Sequence, residues 1–99
     1  SRHAANLRAS SARIRGERLE LAGTISARVR GHVQVKALYE HAGRTRAIVF
    51  RAPARSGRWR LTRRLPSAAH QGAALVIGYP GDTDVAGQIV TRNVTAPGR

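Results

Sequence analysis

The chain has 99 residues and a formal net charge of +13, from 18 basic and 5 acidic residues. This length suffices for one domain with one modest core. The absence of cysteine excludes disulfides and thiolate metal sites, and no apolar run approaches the ~20 residues of a membrane-spanning helix. No secretory signal is seen, and because the chain begins at Ser1 rather than Met, we expect it to come from a longer precursor.

Alternating apolar and polar residues predict seven short antiparallel strands, since a period of two indicates a strand with one buried and one wet face. In chain order they cover roughly 7–14, 18–27, 32–40, 44–52, 58–65, 73–79 and 88–95. A phase slip at Ser10 and Ser11 predicts a bulged first strand at an edge. Pro53 and Pro66 are expected to end strands four and five. We expect a disordered leader at 1–6, one domain at 7–95 and a linker at 96–99.

Strands of this number and spacing are typical of an all-β, seven-stranded antiparallel β-sandwich. In such a fold we expect strands one, two and five to share one sheet, and strands three, six and seven the other. The predicted shared core contains Trp59, Leu21, Val35, Ile77 and Tyr79. The apolar run of strand six, Ala74 to Ile77, favours a central position for that strand.

Two motifs in order support a more specific fold. Gly57-Arg58-Trp59 opens strand five, and Tyr79-Pro80-Gly81-Asp82 closes strand six ahead of the last strand. With the alternating opening at Leu19 to Gly23, this resembles the bacterial Ig-like modules that recur in surface and secreted proteins. The resemblance implies a noncatalytic Ig-like sandwich of Greek-key topology, located outside the cell or in its envelope. Such a module would serve as a spacer, as a display domain or as a contact surface for other domains of the parent protein.

The turn after strand six also has a direct physical interpretation. Gly81 can adopt positive φ without steric cost, and Asp82 can accept hydrogen bonds from neighbouring backbone N–H groups. Tyr79 can bury its ring while its hydroxyl stays at the rim, and Trp59 shares the parity of Leu61, which favours core packing.

Catalytic and metal-binding functions have weak support in the sequence. Asp82 and Asp84 could offer oxygens to calcium, but a third carboxylate is missing nearby and a turn-ordering role is favoured. The histidines are scattered over turns and ends without metal-ligand spacing, and no nucleophile motif surrounds any Ser. We therefore expect no enzyme activity, catalytic residue, metal or cofactor.

The basic residues form the remaining pattern, and all except Lys36 are Arg. Strand parity places one group on the wet face of the first sheet: Arg18, Arg28, Arg30, Arg58, Arg60 and Arg64, with Arg8 and Arg13 alongside. The other wet face is expected to hold little charge: Lys36, Arg92 and Glu40.

A group of arginines on one wet face predicts an alternative function, the binding of a polyanion, because guanidinium binds phosphate and carboxylate groups bidentately. The partner would be an acidic glycan, anionic lipid head groups or a nucleic-acid backbone, without sequence readout because aromatic interleaving is absent. GC-rich codon usage is an alternative origin of the Arg excess. A basic OB- or SH3-like barrel is a third interpretation, which seven strands disfavour.

Overall fold

The protein is described by a computed structural model that covers residues 1–97. Within that range it is an all-β protein with seven antiparallel strands and a single 3₁₀ turn, as the sequence predicts. The strands are β1 (Arg8–Arg15), β2 (Arg18–Thr24), β3 (His32–His41), β4 (Arg44–Arg55), β5 (Arg58–Arg64), β6 (Gly72–Tyr79) and β7 (Gln88–Thr95); the 3₁₀ turn covers Ser67–Ala69. The tail predicted for 96–99 lies partly outside the described residues.

The seven strands form one nearly closed, barrel-like sheet in the order β1-β2-β5-β4-β3-β6-β7. As predicted, β1, β2 and β5 are neighbours, and so are β3, β6 and β7. The long strand β4 joins the two groups, because it pairs with β3 from Arg44 to Pro53 and then with β5. The link to β5 consists of only two residue pairs, Ala54 with Trp59 and Arg55 with Arg58.

Pro53 lies inside β4, so the expectation that it ends this strand is wrong. The N–H of Ala54 donates to the carbonyl of Gly31 at 2.9 Å. Because successive N–H groups point to opposite sides of a strand, the nitrogen of Pro53 faces β5. The β4–β5 pairing stops at Ala54, so no ladder bond needs a donor from Pro53.

The edges of the sheet, β1 and β7, meet at a seam that side chains bridge. The side-chain amide of Gln88 accepts from Leu7 N (2.8 Å) and donates to Leu7 O (3.3 Å). Further along, the guanidinium of Arg92 donates to the carbonyl of Ala9. These contacts give backbone groups of the edge strand partners where a ladder is missing.

The first strand has the predicted bulge, and the segment before it is ordered. The register between β1 and β2 shifts between Ala9 and Ser11.

The segment before β1 differs from the disordered leader that the sequence predicts. His3 pairs in parallel with Val85, and Ala5 is buried. Six residues are too few for a periodic signal, and this pairing is nonlocal, so the sequence pattern alone does not reveal it.

One hydrophobic cluster fills the inside of the sheet. The five residues predicted to share a core all belong to it: Leu21, Val35, Trp59, Ile77 and Tyr79. Of the described residues, none that is polar or charged is buried. The polar chemistry of the described chain is therefore confined to its surface.

Strand β2 ends at Thr24, earlier than its alternation suggests. The N–H of Ile25 donates to Gly57 O (3.0 Å), and a turn bond joins Val29 N to Ser26 O (3.1 Å). Ile25 and Val29 are both buried. The apolar residues of this turn therefore coincide by chance with the two-residue spacing that is typical of a strand. Arg28 and Arg30 consequently lie in the loop between β2 and β3.

Candidate polyanion interface

Eight exposed arginines lie on one surface of the sheet, seven of them on β1, β2 and β5 and one at the adjoining end of β4. Residues paired across antiparallel strands point to the same face, so the register defines four rows. The first row holds Arg15, Arg18 and Arg64; the second Arg13, Glu20 and Thr62; the third Ser11, Ala22 and Arg60; the fourth Arg8, Thr24 and Arg58, with Arg55 beside it on β4. We call this surface the Arg face.

The Arg face is extended and shallow. With residues two apart separated by about 6.8 Å and strands by about 4.8 Å, it measures about 20 Å along the strands and about 10 Å across three of them. Its arginines are all exposed. A surface of this shape can contact a series of anionic groups along a polymer, but it has no projecting element that enters a groove of duplex DNA.

Two carboxylates offset part of this charge. Glu20 accepts from Arg13 Nε at 2.7 Å and lies 3.8 Å from Arg15 Nε. Glu17, in the β1–β2 turn, pairs with Arg64 at 2.9 Å. Exposed ion pairs of this kind contribute little stability, so a ligand can compete for these guanidinium groups.

Four of the six predicted basic residues come together on the Arg face: Arg18, Arg58, Arg60 and Arg64. Arg28 and Arg30 do not, because the loop places them elsewhere, and Arg28 instead contacts Asp84 at 3.3 Å. The prediction that Arg28 and Arg30 belong to this surface is therefore wrong.

Two members of the Arg face, Arg15 and Arg55, were missed by the strand pattern. Each lies directly before a two-residue turn and pairs with the residue directly after it, Arg18 and Arg58 respectively. Such turns place the flanking residues on one face. Each of these turns contains a glycine with positive φ, Gly16 or Gly57, so the glycines mark in the sequence the turns that place Arg15 and Arg55.

The outer surface on the β4-β3-β6-β7 part of the sheet has a different character. It presents three charged residues, Lys36, Glu40 and Arg51, among apolar and uncharged side chains. Two of the apolar side chains, Val49 and Ile89, are 47% and 69% exposed. Arg92 was expected there, but it pairs with buried Leu75 and reaches across the seam to β1. The closure of the sheet explains this difference.

The turn after β6 is held by the carboxylate of Asp82. Its Oδ1 accepts from the N–H groups of Asp84 and Val85, each at 2.7 Å, and its Oδ2 accepts from the Tyr79 hydroxyl. Gly81 has φ +93°, and a Cβ there would lie 2.8 Å from the nitrogen of Gly87. The four-residue motif thus builds a specific turn at the start of the β6–β7 connection.

These hydrogen bonds shift two pKa values in opposite directions. The bond from Tyr79, followed by the two backbone N–H groups, lowers the pKa of Asp82. The same bond to Asp82, together with burial, raises the pKa of Tyr79 to about 12. Both shifts favour the native pair of a neutral phenol and an ionised carboxylate.

Replacing Asp82 with Asn is expected to remove a pH-dependent part of the stability. A lowered native pKa stabilises the fold above the ordinary value of 3.8, and this contribution disappears as pH falls through the native value. The difference in unfolding free energy between wild type and D82N should be constant near neutral pH and shrink below about pH 4. Urea melts from pH 2.5 to 7 measure it. D84N is the matched control, because it removes a carboxylate that contacts Arg28 and His3 rather than the turn backbone. An equal pH dependence in the two variants would contradict the role assigned to Asp82.

The other residues that the sequence singled out make contacts within the fold. Trp59 is buried, and its Nε1 donates to Thr24 O at 3.3 Å. His70 contacts Leu65 O at 2.8 Å. Within residues 1–97, no three His, Cys, Asp or Glu side chains converge as metal ligands would. None of the helices described there is long and apolar enough to cross a membrane.

Comparison with protein-family models, curated proteins and solved structures finds no significant match to this chain. Its function is therefore inferred from the surface chemistry of the domain itself.

Proposed function

We propose that this chain is a noncatalytic β-domain that binds extended polyanions through the Arg face. The observation that supports this proposal is the concentration of eight arginines in four register rows, against two carboxylates. Guanidinium groups bind phosphate, sulfate and carboxylate oxygens through paired N–H donors. Because the supporting strands are internally hydrogen-bonded, the arginine stems start from fixed positions, which lowers the ordering cost of binding.

The distribution of charge argues against codon usage as the whole explanation. A compositional bias toward Arg acts on every surface of the domain. The Arg face holds eight arginines, whereas the outward-facing basic residues of β3 and of residues 44–53 of β4 are Lys36 and Arg51, next to exposed Val49 and Ile89. The other exposed arginines of β4, Arg44 and Arg46, pair with His41 and Tyr39 and so belong to the other parity of the strand. This asymmetry favours a surface with a function.

Affinity for a 20-base-pair DNA duplex should fall steeply with salt. Each anion that an arginine contacts releases counterions, so log K should decline against log salt with a slope of about −4 to −6 for the arginines that can engage together. Fluorescence anisotropy between 50 and 300 mM NaCl measures the slope. No binding at 50 mM to either this duplex or a heparin octasaccharide would reject the proposed function.

A second function, as a spacer within a larger extracellular or cell-envelope protein, is supported by the positions of His3 and Ala96 on either side of β7. His3 N donates to Asp84 O before β7, and Ala96 N donates to Gln71 O after it. His3 and Ala96 are thus separated by roughly the length of β7, about 25 Å. A domain whose flanking segments leave at opposite ends of a strand can be placed in series with other domains. A two-layered Ig-like organisation is part of this second proposal, and the short β4–β5 link supports it.

A further inference from the structure

A shallow trough lies in the middle of the Arg face, between its second and third rows. It has a volume of about 490 Å³ and crosses β1, β2 and β5. The trough is lined by six side chains on the outer face of the sheet: Ser11, Arg13, Glu20, Ala22, Arg60 and Thr62. The trough exists because Ala22 and Ser11 are short where their neighbours are long.

The chemistry of this trough is mixed. Arg13 and Arg60 lie on opposite sides, on β1 and β5, and offer cationic donors. Between them Glu20 presents a carboxylate on the central strand, with its side chain 25% exposed. Both of its arginine contacts are made by Oε1, so Oε2 can still accept a hydrogen bond. Ser11 and Thr62 add hydroxyls at the rim.

From these contacts we infer that the polyanion bound by the Arg face is an acidic polysaccharide, with sulfate or uronate groups on Arg13 and Arg60 and a sugar hydroxyl donating to Glu20. This inference rests on the proposed function. A polysaccharide offers anionic groups and neutral O–H donors on the same chain, which is the combination the trough accommodates. A hydrogen bond from a hydroxyl to a carboxylate is short and charge-assisted.

Nucleic acids fit this surface less well. A DNA backbone brings acceptor oxygens without hydroxyl donors, so Glu20 at the centre of the face repels it. The Arg face contains no exposed aromatic ring for stacking single-stranded bases, which such binding normally uses. Duplex RNA has a 2′-hydroxyl donor and is therefore the informative competitor.

Glu20→Gln tests the inference, with Glu40→Gln as its charge-matched control on β3. Glu40 accepts from Thr45 at the opposite surface, and each variant adds one unit of net charge. The probes are a heparin octasaccharide for sulfate, a polygalacturonate octasaccharide for uronate alone, and DNA and RNA duplexes, all at 0.15 M salt.

We expect Glu20→Gln to weaken octasaccharide binding about fivefold and to strengthen DNA binding about fivefold, since it removes a charged acceptor and a repulsive charge. Glu40→Gln should leave the ratio of the two affinities unchanged. Binding of heparin alone would assign the anionic groups as sulfate, and binding of both octasaccharides would include uronate.

Equal effects of the two variants on all probes would overturn the inference while leaving the proposed function standing. Tighter binding of duplex RNA than of either octasaccharide, weakened by Glu20→Gln, would also overturn it in favour of RNA. A second pair of variants keeps the charge constant. Ala22→Leu fills the trough and should weaken octasaccharide binding, whereas Ala47→Leu, at an exposed position of β4, should not. Retained octasaccharide binding in Ala22→Leu would count against the trough as the site.

Discussion

Replacing Trp59 with Ala is expected to lower the free energy of unfolding by about 3–5 kcal/mol, the range for large aromatic truncations in cores. Trp59 is only 3% exposed, and it is the one Trp of the chain. Its indole covers Gly23 on the neighbouring strand so closely that a Cβ there would lie 2.4 Å from the ring. Removing the indole leaves a cavity that the rigid strand pair cannot fill.

Urea melts followed by far-ultraviolet circular dichroism measure this destabilisation. Trp59→Phe is the graded control, because it retains most of the apolar ring but cannot make the bond to Thr24, so its cost should be clearly smaller. A change below about 1 kcal/mol for Trp59→Ala would be typical of a surface substitution and would contradict the burial of this side chain.

The strands themselves could be predicted from the sequence because their signals are local. Alternation alone places β7 at Gln88–Thr95, and the phase slip at Ser10 and Ser11 identifies the bulge of β1. Turn residues such as Gly81 and Asp82 likewise act on their nearest neighbours.

The features that sequence reasoning missed depend on contacts between distant segments. The pairing of His3 with Val85 and the position of Arg92 at the seam both result from the approach of β1 to β7. Arg28 was misplaced because the turn from Ser26 to Val29 buries apolar residues at the spacing of a strand. Parity cannot distinguish these cases from extended structure.

Only part of the Arg face could be predicted from the sequence, because the rest depends on turn geometry and on how the strands are paired. Arg18, Arg58, Arg60 and Arg64 follow from strand parity together with the adjacency of β2 and β5. Arg15 and Arg55 depend on turn geometry, and the trough depends on which short side chains share a row across three strands. Register of that kind is defined only when the strands are paired.

Reversing Arg58, Arg60 and Arg64 to Glu is expected to weaken polyanion binding about a hundredfold, since each guanidinium–anion pair contributes about 1 kcal/mol. These residues occupy three of the four rows of the Arg face. The matched control reverses Lys36, Arg44 and Arg51, which are exposed on β3 and β4. Both triple variants have a formal net charge of +7 instead of +13, so they differ only in where charge is removed.

Folding of both proteins is checked by urea melting, because Glu at position 64 would face Glu17 in the turn. If that repulsion unfolds the first protein, the pair R58E/R60E and K36E/R51E makes the same comparison with two reversals each. Neither Arg58 nor Arg60 contacts a carboxylate within the described chain.

The most direct test of the Arg face is the ratio of heparin-octasaccharide dissociation constants for the two triple variants, measured side by side at 0.15 M salt. A polyanion site on β1, β2 and β5 predicts that the variant reversed at 58, 60 and 64 binds at least about tenfold more weakly than the control, in which only long-range attraction is reduced. Equal dissociation constants would show that binding follows net charge alone and would contradict a site on the Arg face.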